Sequence, residues 1–330
     1  MRRRQFIQSF VGGFATSAWA LAARAQQAAG IRRIAVLMGT ADDADGKGRL
    51  GAFRQGLENL NWVEGRNIHL DVRWGAGDAA RTKDFATELV GLQPDVILAT
   101  NTPTARSLKQ ATDRIPIVFA GLADPIADGF VASLSTPGGN ITGFTSFNAE
   151  IAGKWLQLLK EMSPGMERVL AIYNPDTAPF TIFLPVMEAV APQIALTLVR
   201  AQVRDKASIE QAIGTFANGQ SSGLMVMPDV FTTLHRGTIF ELATSGHFPT
   251  MCPLRYYAAA GGLMSYGSNF NRLMLQAATY VDRILRGEKA RDLPVQEPTE
   301  YELIINLKTA RALGLTVPPA LLARADEVIE

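Results

Sequence analysis

From Ile31 onward the chain alternates short runs of β-branched and aliphatic residues with longer segments of helical periodicity, and this alternation limits the fold more than any other feature. A strand, a helix and a further strand in that order pair in parallel, because a crossover of that length is not a hairpin. Several of the strand runs are apolar along most of their length, as strands covered on both faces are. In the first half the pattern predicts strands at Ile34–Met38, Ile68–Arg73, Val96–Ala99, Ile117–Ala120 and Ile141–Phe144, with helices near Leu50–Leu60, Arg81–Leu92 and Pro103–Thr112. A second series follows a helix at Glu150–Met162. It has strands at Arg168–Tyr173, Leu196–Val199, Gly223–Met227 and Pro249–Cys252, and helices at Thr181–Ala191, Ser208–Ala217 and Phe231–Ser245. A strand at Gly262–Ser265, a helix at Phe270–Leu285, a strand at Tyr301–Asn306 and helices around Thr309–Leu313 and Leu321–Ile329 complete the expectation. The fold class is α/β, and the Pro- and Gly-rich stretches 135–140 and 292–299 read as connections.

The first residues read as an export signal. Met1, Arg2, Arg3 and Arg4 precede an apolar stretch from Phe10 to Ala22, and Ala23-Arg24-Ala25 gives a small-x-small ending with cleavage expected before Gln26. Arg3-Arg4-Gln5-Phe6-Ile7 fits the twin-arginine pattern, with Arg2 departing from the usual Ser or Thr before it. About 305 residues then remain, long for one core and ample for two domains. Lys and Arg number 32 against 31 Asp and Glu, which argues against a nucleic-acid partner. No later apolar run reaches the ~20 residues of a membrane span, and Cys252, the sole cysteine, can form no internal disulfide.

Several segments in fixed order resemble a family of transporter substrate-binding proteins that includes tryptophan and tyrosine receptors. They are Arg33-Ile34-Ala35-Val36-Leu37-Met38-Gly39; Phe53-Arg54-Gln55-Gly56-Leu57 leading to Trp62-Val63-Glu64-Gly65-Arg66-Asn67-Ile68; Ile115-Pro116-Ile117-Val118-Phe119; Pro137-Gly138-Gly139-Asn140-Ile141-Thr142-Gly143; Gly261-Gly262-Leu263-Met264-Ser265-Tyr266-Gly267; and Ile305-Asn306-Leu307-Lys308-Thr309-Ala310. The resemblance implies a type I periplasmic-binding-protein fold: two Rossmann-like lobes with parallel sheets joined by a three-strand hinge, with crossings near Thr145, Tyr266 and Pro294. One lobe would hold residues 31–144 and 267–291, the other 145–266 and 292–330. It further implies a monomeric, non-catalytic periplasmic protein without cofactor or metal, which captures a small solute and delivers it to an ABC permease without inserting into the membrane. An aromatic amino acid is the favoured solute. A sensor that docks on a signalling receptor stays open beside it, as do other small organic solutes.

In open α/β sheets ligands collect at the carboxyl ends of strands, so two facing lobes make a cleft lined by post-strand loops. Met38-Gly39-Thr40 and Thr100-Asn101-Thr102 are expected to offer backbone N–H groups to a carboxylate at helix starts, unless Asn101 and Thr102 merely cap the helix. Asp124 and Asp229 are candidates for a ligand ammonium, with a turn role as the plain alternative. Asn174 stands at an equivalent strand end, and Thr145 at a crossing. Phe144, Phe147, Tyr256, Tyr257 and above all Tyr266 are candidates to stack on the solute.

Enzyme readings fare worse. Gly46-Lys47-Gly48-Arg49-Leu50-Gly51, with Asp71 beyond, has dinucleotide spacing, but a polar insert from Gly39 to Asp45 separates it from the strand, so it reads as a solvated loop on the cleft rim. Ser265 lacks the nucleophile-elbow pattern. His69, His235 and His247 are far apart and suggest neither a zinc site nor a triad. A periplasmic hydrolase or oxidoreductase is the remaining rival.

Overall fold

The computed structural model describes residues 30–176, 180–216 and 221–330. The export signal expected over residues 1–25 lies outside them. Two sheets organise the chain. In the first, β1 (Arg32–Met38), β2 (Ile68–Trp74), β3 (Val96–Ala99), β4 (Ile117–Leu122) and β5 (Ile141–Thr145) lie in the order β2-β1-β3-β4-β5, all parallel. In the second, β6 (Arg168–Tyr173), β7 (Thr197–Gln202), β8 (Ser222–Val226), β9 (Thr250–Cys252), β10 (Met264–Gly267), β11 (Glu302–Asn306) and β12 (Glu327–Ile329) take the order β12-β11-β10-β9-β8-β6-β7. The expectation of parallel pairing fails once: β11 runs antiparallel to β10. The chain leaves β10 for the first sheet and comes back at the end it left from, so β11 must run the opposite way.

Alternation along β1 shows why apolar runs were needed. Ile34, Val36 and Met38 enter one core with Phe53 and Leu57, while Ala35 and Leu37 enter the other with Leu89, Ile97 and Phe119, all with no more than 1% exposure. The Phe270–Leu285 helix, capped by Asn269, returns to cover the first sheet with Leu273, Met274, Ala277, Ala278 and Val281. It packs against the Ala44–Asn59 helix so closely that a Cβ on Gly56 would lie 2.7 Å from that of Ala278.

Three further expectations change. The helix expected from Leu50 starts at Ala44, because the Asp43 carboxylate accepts the Gly46 N–H at 2.8 Å and closes the first turn. Gly46, Gly48 and Gly51 are therefore helical and not a solvated loop; burial of Leu50, Phe53 and Leu57 offsets a cost of about 1 kcal/mol per glycine. The helix expected over 231–245 breaks at His235 into Val230–Leu234 and Arg236–Ser245. That expected at Leu321–Ile329 becomes one turn, Pro319–Leu322, followed by edge strand β12, where β-branched Val328 and Ile329 pair with Ile305 and Asn306.

Three segments pass between the sheets. After β5, Ser146 accepts from the Ser268 hydroxyl through its carbonyl, and the Asn148 N–H donates to the Tyr301 hydroxyl at 3.0 Å. The Asn269 side-chain amide donates to Glu302 at 2.8 Å. The last passage begins after Gln296, whose N–H donates to Gly143 and whose carbonyl accepts from Thr145, both at 2.9 Å. All three passages are thus bonded side by side.

Candidate functional site

Between the sheets lies a cavity of about 200 Å³, a space of the order that holds a single-ring organic molecule. Loops at strand ends build both walls, as parallel sheets dictate. Gly39-Thr40 after β1, Ala76-Gly77 after β2, Thr100-Asn101-Thr102 after β3 and Gly121 with Ala123 at and just after the end of β4 form one wall. Pro228-Asp229 after β8 and Leu254 with Tyr256 after β9 form the other.

On the first wall several backbone donors are spent internally. The Gly39 N–H donates to Thr100 Oγ1 at 2.9 Å, and the Asn101 N–H donates to Thr104 Oγ1 at 3.1 Å. Asn101 Oδ1 in turn accepts the Thr104 N–H at 3.0 Å, completing a capping box on the Thr102–Ala111 helix. Asn101, not Thr102, is the cap, because Thr104 is spaced to reciprocate and Pro103 fits the helix start. Its amide lies over Gly39, where a Cβ would fall 1.9 Å from Nδ2. Gly121, at φ +95°, leaves room for the Phe270 ring, which a Cβ would meet at 2.6 Å.

Two polar groups of this wall stand without a hydrogen-bonding partner among the described residues. One is the Thr40 hydroxyl. The other is Arg49, 9% exposed, with no carboxylate within ion-pair distance. Its guanidinium sits 4.5 Å from the ring centroid of Phe270 and 5.3 Å from that of Tyr256 on the opposite wall.

The second wall is acidic and hydroxyl-rich. Asp229 caps the Val230–Leu234 helix, accepting the Thr232 N–H at 2.6 Å and the Asn174 N–H at 3.4 Å. Burial pushes its carboxyl up to about 6 against those N–H groups, which favour the charged form. No cation pairs with it among the described residues. Tyr256 stacks on Tyr257 at 4.7 Å, and their hydroxyls bond Thr233 at 3.0 and 2.8 Å. Burial raises both phenols above their ordinary range, so they remain neutral hydrogen-bonding groups.

Of the residues expected from sequence, Gly39, Thr40, Asn101, Thr102, Asp229 and Tyr256 come together here, with Phe147 beside them. Met38 does not: the alternation of β1 turns its side chain into the core. Asp124 closes its own turn, accepting the Ile126 and Ala127 N–H groups, and only its neighbour Ala123 reaches the wall. Thr145 is buried against Gln296. Asn174 stands one layer back, bonded through its N–H to Asp229 and through Oδ1 to the Asp176 N–H. Tyr266 lies against Tyr301, ring centroids 5.6 Å apart, and its carbonyl accepts from Trp155 Nε1, away from the cavity. Phe144 packs on Tyr280 in the first core.

Sequence reasoning missed Arg49 and Phe270. Arg49 was legible through Asp43 as a helix cap followed by Leu50, Phe53 and Leu57 at helical spacing. Among the described residues no group of three His, Cys, Asp or Glu is placed to hold a metal, and no helix is long and apolar enough to cross a membrane.

A cleft between two mostly parallel sheets joined by three passages, with unpaired polar groups on both walls, is the architecture of a solute receptor. The chain belongs to the ABC transporter substrate-binding protein family, whose profile matches residues 33–329. A tyrosine-binding protein of Clostridioides difficile is 27% identical over 263 residues, 80% of this chain and 75% of the relative. A conserved domain protein of Vibrio cholerae has a solved structure with TM-score 0.81 at 28% identity, covering 90% of this chain and 99% of that one. An ABC domain from Streptococcus pneumonia in complex with L-Trp reaches a TM-score of 0.83 at 24% identity, with the same coverage, and shares the fold. The family's proteins bind small molecules and are typically extracytoplasmic.

Proposed function

We propose that the chain captures an aromatic amino acid between its two halves and presents it to an ABC permease. The observation that carries this reading is Asp229, a carboxylate on the cavity wall, mostly buried and without a cation. A buried charge left alone is costly, and a ligand ammonium is the partner that removes the cost. Phe147, Tyr256 and Phe270 suit a planar apolar side chain, and two of the similar proteins are described with tyrosine or tryptophan.

In this account residues 31–144 and 267–291 move as one lobe and 145–266 and 292–330 as the other. The solute enters while they are apart, and closure over it creates the surface that the permease reads. The protein acts as a monomer in the periplasm, exported by the twin-arginine route that Arg3 and Arg4 suggest, and makes or breaks no bond. Thermal unfolding of the chain from Gln26 onward tests this. Saturation with Trp, Tyr or Phe at a hundred times Kd should stabilise by about 2.7 kcal/mol, a shift of a few degrees. Stabilisation by sugars alone, or turnover of any solute, would contradict the reading.

A further inference from the structure

We infer that Arg49 is the residue that binds the solute's carboxylate and makes closure of the cleft conditional on an anionic group. The inference rests on the cavity being the solute site. Arg49 projects from the Ala44–Asn59 helix into that cavity, 9% exposed and without a carboxylate partner among the described residues. Of the N–H groups that sequence assigned to an anion in the 38–40 and 100–102 loops, those of Gly39, Thr100 and Asn101 are consumed by the Thr100 and Thr104 hydroxyls. Arg49 brings to this wall a full positive charge and a planar set of donors that the backbone cannot supply. Beside it is a second orphan: Thr40 Oγ1, buried and unpaired, lies 3.0 Å from where a Cβ on Gly46 would stand, and Gly46 and Arg49 are i,i+3 neighbours on one helix face.

The guanidinium touches both halves of the molecule. Phe270 begins the helix that covers the first sheet, whereas Tyr256 belongs to the loop after β9 in the second. Parting the halves would take Tyr256 away and open the guanidinium further to water. Closing an empty cleft would hold a positive charge between two ring faces with no carboxylate within ion-pair distance, which is unfavourable. Closing over a carboxylate supplies a planar bidentate partner to a planar donor, leaving both faces free for the rings. Solutes carrying a carboxylate are thereby selected over amines and neutral molecules of the same shape.

Calorimetric titration of wild type, R49Q and R49K with L-tyrosine, tyramine and 3-(4-hydroxyphenyl)propionate separates the possibilities, with thermal unfolding confirming that each variant folds. The inference predicts that R49Q weakens tyrosine and the propionate by about a hundredfold and leaves tyramine within threefold, with R49K in between. It also predicts that empty R49Q is no less stable than wild type. R49Q binding tyrosine within threefold of wild type would overturn the assignment and leave the amino-acid reading intact; so would an equal loss for tyramine. Wild type binding the propionate but not tyrosine, with R49Q losing it, would uphold Arg49 and overturn the amino-acid reading. Failure of wild type to bind either carboxylate would overturn the assignment of Arg49.

Discussion

The two walls of the cavity come from the same device, loops at the carboxyl ends of parallel strands, yet they treat their polar groups in opposite ways. The first wall spends the Gly39, Thr100 and Asn101 N–H groups internally, on the Thr100 and Thr104 hydroxyls, and leaves a long cation, Arg49, without an ion pair. On the second, backbone N–H groups converge on a carboxylate, Asp229, and leave that anion without a cation. Each loop set is locally satisfied, but the charges are not. An unpaired cation facing an unpaired anion across a small cavity is a template for a molecule that carries both signs.

The sharpest way to break the comparison is Asp229→Asn. Asn keeps the cap on the Val230–Leu234 helix, since it serves that position as well as Asp does. Affinity for an amino acid should fall by about a hundredfold or more in calorimetry. The same change should raise the melting temperature of the empty protein at pH 7 by a few degrees. The sign follows from the carboxyl being raised to about 6 in the fold from a reference of 3.8. The protonated form is the one the fold favours, so its stability contribution is complete below about pH 4 and is lost as pH rises through 6. The loss by pH 7 is on the order of 3 kcal/mol. A melting temperature that drops in the Asn variant would remove the second wall's half of the comparison.

On the first wall, Gly39→Ala would drive a Cβ to 1.9 Å from the Asn101 amide and break the capping box. A destabilisation of about 2 kcal/mol is expected in denaturant titrations, with weaker binding because Thr100 to Thr102 shift. Acidity gives a graded test. Below pH 6 the Asp229 proton competes with a ligand ammonium, so affinity should decline by up to about tenfold per pH unit in wild type and stay flat in the Asn variant. Tyr256→Phe should do least. It removes one hydroxyl from Thr233, which retains Tyr257 at 2.8 Å, and keeps the ring over Arg49. A loss of about 1 kcal/mol in stability and no more than threefold in affinity is expected.

Much of the fold was legible because strands buried on both faces cannot hide: β3 and β4 are apolar throughout, β1, β6 and β8 are apolar beyond their first residues, and all sit close to where their residues put them. The strand-end loops followed, and with them Gly39, Thr40, Asn101, Thr102, Asp229 and Tyr256. What stayed hidden needed tertiary information. Gly46, Gly48 and Gly51 have poor helix propensity, so the helix bearing Arg49 read as a loop; packing on the Phe270–Leu285 helix decides otherwise. Asp124 and Asp229 look alike in sequence, each after a strand and next to a proline. Both accept the N–H three residues on, and only the placement of their strand ends in the fold sets Asp229 on the cavity wall and leaves Asp124 off it. Tyr266 was expected at the solute because it lies near a crossing, but nearness along the chain does not settle which way a ring faces.

The central claim, that Asp229 receives a ligand ammonium, is tested most directly by calorimetry of L-tryptophan or L-tyrosine at pH 5.5 in two buffers of different ionisation enthalpy. With the Asp229 carboxyl near 6, the empty site is mostly protonated, and binding should release more than about half a proton per solute. The Asn variant should release none at whatever affinity remains. Binding without proton release in wild type, or affinity that strengthens as pH falls from 7 to 5, would contradict the account.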